Sequence, residues 1–224
     1  MTPYEIVFGG ERVLLDADRA ALCREHLLIA DVHLDKAATF QRAGLAVPLG
    51  DEGSDLDRIA HLAERHGVRD VVVLGDLVHA PPRRGSRTEA LLLRWLDAHP
   101  DLELKVIVGN HDRDAAERFA HWPVRWIADG LTLGDIELRH EPSAVRRDGF
   151  EIAGHLHPAL RLRDRHRDAA RLVGFWQRPR SLVLPAFGSF TGGHAVRLQG
   201  RAQFHAIVDD RIVRVDARQS SVSV

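Results

Sequence analysis

The sequence predicts an α/β protein in which two β-sheets pack on one another and helices flank them. Three observations indicate this fold: apolar runs alternate with helical segments up to Trp126, short alternating strands follow, and no Gly/Ser/Pro linker separates the two halves. A chain of 224 residues and 25.0 kDa can bury a sizeable core without a disulfide. We therefore expect a single domain over residues 1–224.

The first half alternates strand and helix three times. Apolar runs bounded by turn residues predict buried strands at Leu27 to Ala30, Val71 to Leu74 and Leu104 to Val108. Helices are predicted over residues 56–63 with Ser54 as N-cap, behind a capping box of Ser86 and Glu89, and from Asp114 to His121 before Pro123. This order implies a largely parallel sheet with helices on its faces.

The second half is rich in short strands. They are predicted at Leu131 to Leu133, Ile136 to Arg139, Phe150 to Ala153, Leu172 to Phe175, Leu182 to Leu184, Gln203 to Val208 and Ile212 to Val215. Their alternating polarity favours antiparallel pairing, with Asp209 and Asp210 at the tip of the last hairpin. We expect residues 217–224 to form a frayed, flexible tail.

Composition excludes several classes of protein. The chain has 31 Lys and Arg against 32 Asp and Glu, so bulk charge alone cannot hold it to nucleic acid or to a membrane. Cys23 is the only cysteine, which excludes a disulfide framework and a multi-cysteine metal site. The amino terminus lacks a signal-peptide pattern and no long apolar run follows, so we expect a cytoplasmic protein with no membrane partner.

Polar side chains follow successive predicted strands, at the point where each strand ends. They are Asp31 and His33, Asp76, Asn110 and His111, His140, and His155 with His157. Because the ligand site of an open α/β sheet lies beyond the carboxyl ends of its strands, we expect these side chains to meet at one edge. Oxygen and imidazole donors without a thiolate suit manganese, iron or zinc.

Each block alone also has an ordinary structural explanation. Asp31 could simply end a strand, the Gly75–Asp76 pair could form a turn, and the His155–His157 pair could lie in a solvated loop. The run from Asn110 to Asp112 is harder to explain as a mere helix cap. Five blocks in order, each behind an apolar strand, favour metal binding over five separate explanations.

The same blocks resemble the signature of the calcineurin-like metallophosphoesterases. The matching segments are DVH at Asp31 to His33, GDLVH at Gly75 to His79, GNHD at Gly109 to Asp112, HEP at His140 to Pro142 and GHLHPA at Gly154 to Ala159. DVHLDKAATFQRAG from Asp31 onward and LVLPAFGSFTGG at Leu182 to Gly193 further resemble the PdeM-type, ligase-associated DNA damage response endonucleases. The chain departs from that subgroup at Asp35, where glycine is expected, and at Val173 and Gly174, where a cysteine-containing segment is common.

The resemblance implies a metallophosphoesterase sandwich of two mixed β-sheets packed face to face, with flanking helices and two divalent metal ions. Asp31, His33 and His157 would bind one ion, Asn110, His140 and His155 the other, and Asp76 would bridge them. Manganese is expected, with iron, zinc or magnesium as alternatives. Metal-activated hydroxide would then hydrolyse a phosphodiester. His111 would protonate the leaving oxygen or stabilise charge, with Asp112 as an orienting partner.

The other histidines have more ordinary explanations. His61, His66, His99 and His121 lie in or beside predicted helices and are expected to be solvated or satisfied in the core. His79 follows the GD block closely and could orient a metal ligand. His194 could approach the site through the Gly-rich turn before it.

Charge is distributed unevenly along the chain. Residues 1–138 have a net charge of −8, residues 139–180 of +5 and residues 181–224 of +2. The basic segment contains Arg161, Arg163, Arg165, Arg167 and Arg171, and Arg83 and Arg84 with Arg87 follow the GDLVH block. These arginines could contact substrate phosphates, although a solvated hairpin fits the first group as well.

Three functions stay open. The first is a metal-dependent nuclease acting on DNA in repair, near the DNA ligase and helicase that the resemblance implies. The second is a phosphodiesterase of cyclic nucleotides or nucleotide sugars, and the third is a scaffold without activity, like a retromer subunit of this fold. Only 27 residues separate Asp112 from His140 and 12 separate Pro142 from His155, which leaves no room for a large cap and favours an openly bound substrate. The intact ligand set and His111 argue against a scaffold.

Overall fold

The structure is a computed structural model that describes residues 3–47, 52–144, 148–163 and 169–216. The helices are α1 Lys36–Arg42, α2 Glu52–His66, α3 Arg87–Ala98 and α4 Arg113–Arg118. The strands up to α4 are β1 Tyr4–Phe8, β2 Glu11–Asp16, β3 Ala20–Cys23, β4 His26–Ile29, β5 Asp70–Val73 and β6 Glu103–Ile107. The later strands are β7 Arg125–Ile127, β8 Leu131–Leu133, β9 Ile136–Arg139, β10 Phe150–Ala153, β11 Pro158–Arg163, β12 Ala169–Arg178, β13 Ser181–Val183, β14 His194–Ala195, β15 Gln203–Val208 and β16 Arg211–Asp216. The tail predicted at residues 217–224 lies outside the described residues.

The first sheet has the strand order β1-β2-β3-β4-β5-β6-β7. Its half from β4 to β7 is parallel, as the alternation of strands and helices predicts. The half from β1 to β4 is an antiparallel meander that the sequence analysis did not predict. The carboxyl ends of β4, β5 and β6 therefore share one edge of the sheet.

The second sheet has the order β14-β11-β12-β13-β10-β9-β8, and β15 and β16 extend it from β12. The β15–β16 hairpin is antiparallel, and its turn lies at residues 209–210 as predicted. The expectation of antiparallel pairing throughout is wrong, because β10 runs parallel to both β9 and β13, and β11 runs parallel to β14. The connections between these strands are long enough to return the chain to its starting end, so the sheet is mixed.

The central strands are buried on both faces. Leu27 and Ile29 of β4 point into a cluster shared with α2, α3 and α4, whereas Leu28 and Ala30 point into a cluster shared with the second sheet. Alternate residues of a strand face opposite sides, so one apolar run serves both layers. The layers are therefore helices, first sheet and second sheet, in that order.

The two predicted helix caps have different outcomes. Ser86 caps α3, because its Oγ accepts a hydrogen bond from the backbone N–H of Glu89 at 3.2 Å. The carboxylate of Glu89 accepts from Gly85 instead of completing the capping box. Ser54 is not an N-cap, since α2 already includes Glu52 and places Ser54 in its first turn.

Several elements were not predicted, and α4 is shorter than expected. α1 buries only Ala37, so it has no apolar stripe for the sequence to reveal. α4 ends at Arg118 instead of His121. Among the described helices, none combines the length and apolarity needed to cross a membrane.

Candidate metal centre

All seven predicted metal ligands lie at one edge of the two sheets. Asp31 and His33 follow β4, Asp76 follows β5, Asn110 follows β6, His140 follows β9, and His155 and His157 follow β10. The structure therefore joins blocks that are up to 126 residues apart in the sequence. This is the outcome that the strand-end argument predicts.

The backbone is left-handed at five of these seven positions. The φ angles are 56° at Asp31, 53° at His33, 55° at Asp76, 68° at His155 and 43° at His157. Residues with a Cβ rarely adopt positive φ, and such strain collects where side-chain direction matters for function. These five strained residues are all among the seven whose side chains converge.

The first cluster contains Asp31, His33 and His157. The Nε2 atom of His157 lies 3.3 Å from Oδ1 of Asp31, while Oδ2 accepts a hydrogen bond from the backbone N–H of His155 at 2.8 Å. Oδ1 of Asp31 and Nε2 of His33 are buried without a hydrogen-bond partner among the described residues. Leaving such atoms unsatisfied costs about 1–3 kcal/mol each, so both are suited to bind a metal ion.

The second cluster surrounds His140. Its Nδ1 lies 2.9 Å from the carbonyl oxygen of Leu74, which can only accept, so Nδ1 is the protonated nitrogen. In the neutral ring Nε2 then carries a lone pair. That lone pair faces Oδ1 of Asn110 at 2.9 Å, Nδ1 of His155 at 3.1 Å and Oδ2 of Asp76 at 3.6 Å.

Asp76 lies between the two clusters. Its Oδ2 is 3.6 Å from Nε2 of His140 and 3.9 Å from Nε2 of His33. Its Oδ1 accepts a hydrogen bond from the backbone N–H of His111 at 3.0 Å. One carboxylate thus faces an imidazole of each cluster.

The donor set fits divalent cations. In each of the groups Asp31–His33–His157 and Asp76–His140–His155, the ligand atoms lie within 4.8 Å of one another. Lone pairs that converge without a proton between them repel, and a cation removes that repulsion. Oxygen and imidazole donors suit manganese, iron or zinc.

Two glycines leave the space that these side chains occupy. A Cβ on Gly75 would lie 2.1 Å from Nδ1 of His140, and one on Gly109 would lie 2.2 Å from Oδ1 of Asp76. Gly75 also has a φ of +81°. The GD and GN pairs in the sequence therefore need their glycines for steric reasons.

His111 lies beside the ligands. Its Nδ1 donates to the carbonyl oxygen of His79 at 2.7 Å, which fixes the ring and leaves Nε2 free. The ring stacks on that of His79 with centroids 4.8 Å apart and lies 5.2 Å from that of His33. His111 is therefore held where it can exchange a proton with a bound ligand.

Asp112 is linked to His111 through the backbone. Its carboxylate accepts hydrogen bonds from the backbone N–H groups of Val78 and Gly109, both at 3.1 Å, and it is fully buried. Among the described contacts none joins this carboxylate to the His111 ring. The carboxylate ties the loop after β5 to the loop after β6, so any orienting effect on His111 is indirect.

The family model of the calcineurin-like phosphoesterases matches residues 27–195. The chain belongs to the calcineurin-like phosphoesterase family. It is therefore a hydrolase of phosphoester bonds, and members of this family use divalent metal ions. The fold predicted from the resemblance, two mixed sheets with flanking helices, is confirmed.

Two solved structures are similar to this chain. The crystal structure of Pseudomonas putida nuclease MPE has 30% sequence identity with this phosphoesterase and a TM-score of 0.79, covering 96% of this chain and 100% of that one. A phosphoesterase from E. coli, Yfce, has 16% identity and a TM-score of 0.45, covering 86% of this chain and 98% of that one. No curated protein sequence gave a significant match.

Burial alters the protonation of the site of this phosphoesterase. Burial, with smaller contributions from neighbouring cationic groups, lowers the pKa of His33 to about 2 and that of His79 to about 4. Burial raises the pKa of Asp112 to about 6. Neutral imidazoles carry the lone pairs that a metal needs, so a site that keeps them neutral is prepared for binding.

The structure describes the side chains of only some of the arginines predicted to contact substrate. Arg83 and Arg84 are exposed in the loop between β5 and α3, and no described hydrogen bond or salt bridge joins them to a predicted ligand. Arg161 is exposed on β11, directly opposite Arg171 of β12. The side chain of Arg163, and Arg165 and Arg167 altogether, lie outside the described residues.

Sequence reasoning undervalued three residues at the site. His79 forms a group with His33 and His111 whose ligand atoms lie within 4.8 Å of one another. Lys36 begins α1 close to the ligands, where burial lowers its pKa while Asp31 and Asp76 oppose that shift. Phe40 packs against His79 with ring centroids 5.7 Å apart. Lys36 and Phe40 belong to DVHLDKAATFQRAG, the segment that supported the narrower resemblance, so a signal was present.

Proposed function

We propose that this phosphoesterase is a phosphodiesterase that uses two divalent metal ions, manganese by preference, to hydrolyse DNA. The observation that carries the proposal is the position of Asp76 between an Asp31–His33–His157 group and a His140–His155–Asn110 group. Two cations at such a site neutralise phosphate oxygens and lower the pKa of water. In this proposal Asp76 serves both ions and the other six side chains serve one each.

His111 acts as the proton donor of the reaction. Its Nδ1–H donates to the carbonyl oxygen of His79, so the ring must first take a second proton on Nε2, and that is the proton it releases to the leaving oxygen. The hydrogen bond from its backbone N–H to Asp76 sets its distance from the ligands. The Asp112 carboxylate supports that position by holding the two loops together.

DNA is the proposed substrate because two features suit a polyanion. Arg161 and Arg171 lie directly opposite one another on antiparallel strands, a like-charge pair that a phosphate would stabilise. Arg171 also donates to the carbonyl oxygen of Gly193 at 2.8 Å, which places that guanidinium beside the Gly-rich loop. A solved structure with 30% identity is a nuclease. Arg83, Arg84 and Arg163 are further candidates for phosphate contact.

The proposed cellular role is DNA repair in the cytoplasm. It rests on the resemblance of two sequence segments to the ligase-associated endonucleases. A DNA ligase and a helicase are the partners that this role implies. Co-purification of either with the tagged chain would support the association.

The decisive test is an assay of the purified protein with manganese on single-stranded DNA, a cyclic nucleotide and a generic aryl phosphodiester. Arg161→Gln tests the polyanion contact, with Arg201→Gln, exposed and near the start of β15, as the matched control. We expect DNA cleavage that Arg161→Gln weakens and Arg201→Gln does not. Cleavage of small diesters alone, unaffected by Arg161→Gln, would show a small-molecule phosphodiesterase instead.

A further inference from the structure

Two half-buried phenylalanines lie beside the candidate metal centre. Phe40 of α1 and Phe190 of the loop after β13 have ring centroids 6.1 Å apart at an interplanar angle of 60°. Neither ring belongs to any of the apolar clusters of the described residues. Burying a phenylalanine fully would stabilise the fold by about 1.5–3 kcal/mol, so the exposed part of each ring has no folding explanation.

The two rings continue the row of imidazoles at the site. Phe40 lies 5.7 Å from His79, His79 stacks on His111 at 4.8 Å, and His111 lies 5.2 Å from the metal-ligand candidate His33. The angle between the Phe40 and His79 planes is 73°, an edge-to-face contact in which His79 lies against at most one face of the Phe40 ring. The aromatic shelf, defined as Phe40 and Phe190, is thus the apolar end of a site whose other end binds cations.

One side of the aromatic shelf is fixed by buried polar contacts. Asp35, which precedes α1, has a φ of 69° and is 3% exposed. Its carboxylate accepts hydrogen bonds from Thr88 of α3 at 2.9 Å and from Arg42 of α1, and its N–H donates to Glu52 of α2 at 2.7 Å. The carboxylate therefore compensates for a backbone conformation that suits glycine, and it holds α1 in place.

The other side is fixed by α2. The carboxylate of Asp55 accepts from the backbone N–H of Ser189 at 3.0 Å and from its hydroxyl at 3.0 Å. Arg58 donates to the carbonyl oxygen of Phe187 and covers the Phe187 ring at 3.9 Å. Phe190 therefore stands on a preorganised loop, which lowers the entropy lost when a ligand binds to it.

We propose that the aromatic shelf stacks one unpaired nucleobase next to the phosphate that is hydrolysed, and so selects single-stranded DNA. The inference rests on the proposed function and names its substrate class. A ligand that engages both ends of this site needs a phosphodiester and a flat ring, and a nucleotide has both. Bases in a duplex are already stacked and paired, whereas a single strand offers its base faces to aromatic side chains.

The test compares an oligothymidylate with an abasic deoxyribose-phosphate strand of the same length. Phe40→Leu and Phe190→Leu keep an apolar side chain but remove the ring, and Phe40→Trp restores one. Phe150→Leu, a half-buried phenylalanine at the start of β10, is the matched control. Both KM for cleavage and Kd from fluorescence anisotropy are measured, since the second needs no turnover.

Contact of the base with both rings, lying on the face of one and against the edge of the other, predicts that Phe40→Leu and Phe190→Leu each raise KM and Kd for oligothymidylate roughly 5- to 100-fold. The abasic strand should be unaffected, Phe40→Trp should recover binding, and Phe150→Leu should match the wild type. Equal losses of binding on both strands, or no loss on either, would contradict base stacking by the aromatic shelf without contradicting the proposed nuclease function. If the wild type cleaves neither strand, the proposed function fails, and the Kd values still decide whether the rings bind bases.

Discussion

In the proposed mechanism His111 is not a metal ligand, so its side chain can be removed without removing one. We predict that His111→Ala lowers kcat about 10²- to 10⁴-fold while the metal content stays that of the wild type, because only proton donation is lost. His121→Ala, an exposed histidine after α4, is the control. Turnover on a manganese-loaded sample and metal content from mass spectrometry give the two readings. Normal turnover in His111→Ala would remove this residue from the mechanism.

Substitution of Asp76 should abolish metal binding, in contrast to His111→Ala, which should leave the metal content unchanged. Its carboxylate is 2% exposed, and burial raises its pKa, so the charge is costly in the metal-free protein. Asp76→Asn should therefore leave Tm in EDTA equal or higher, but abolish the increase in Tm that manganese gives the wild type. Differential scanning calorimetry with and without manganese measures both. A manganese-dependent increase equal to that of the wild type would contradict a bridging role.

Some residues of the candidate site could be predicted from the sequence, and others could not. The convergence of the seven candidate ligands was predictable because each follows an apolar strand, and parallel strands deliver their carboxyl ends to one edge. His79 was anticipated from its closeness to the GD block, whereas the approach of Phe40 and Phe190 was not, since it depends on how α1 and the loop after β13 pack. The side-chain role of Asp112 was hidden as well, because hydrogen bonds to backbone groups leave no pattern in the sequence.

Helix α3 offers a prediction at the scale of one element. Ser86→Ala removes the acceptor for the Glu89 N–H and should lower the free energy of unfolding by about 0.5–2 kcal/mol. Ser86→Asp keeps a capping oxygen and should be close to the wild type. Urea unfolding in EDTA measures the difference without a contribution from metal. If both substitutions destabilise equally, the loop packing and not the cap holds this end of α3.

Strands that are buried on both faces could be predicted from the sequence, whereas several strands that are buried less evenly could not. The runs of β4 and β5 are apolar on both faces, that of β6 is apolar except at Glu103 and Lys105, and all three stand out in the sequence. The strands β1 to β3 form one edge of the sheet and were missed, as were β11 and β14, whose pairing is set by partners far along the chain. The direction of the strands in the second sheet could not be predicted from local sequence patterns either, because it depends on the path of long connections.

At the scale of the molecule, the net charge of −1 conceals an acidic first half and a basic segment after it. The acidic half supplies Asp31 and Asp76, and the basic segment supplies the Arg161–Arg171 pair on the second sheet. The two groups belong to different sheets, and these sheets pack on one another. Charge arrangement therefore became informative only once the fold was known.

His205 links the stability of the whole fold to pH, away from the metal centre. It is 1% exposed on β15, its Nε2 donates to Oε1 of Gln177 at 2.7 Å, and its buried Nδ1 has no hydrogen-bond partner among the described residues. Burial, with a smaller contribution from Arg214 and against the opposing effect of Asp216, lowers the pKa of His205 to about 4. The folded protein therefore disfavours the imidazolium that the unfolded chain accepts near pH 6.5.

This depressed pKa gives stability that is fully present above about pH 6.5 and is lost as the pH falls towards 4. We predict that the free energy of unfolding of the wild type falls by about 2–3 kcal/mol more than that of His205→Gln between pH 7 and pH 4.5. His121→Gln, which changes an exposed histidine, should follow the wild type. Urea unfolding in EDTA at both pH values measures the difference, because all three proteins keep the same metal-site histidines. Parallel pH dependence of the wild type and His205→Gln would show that His205 accepts its second proton in the folded state.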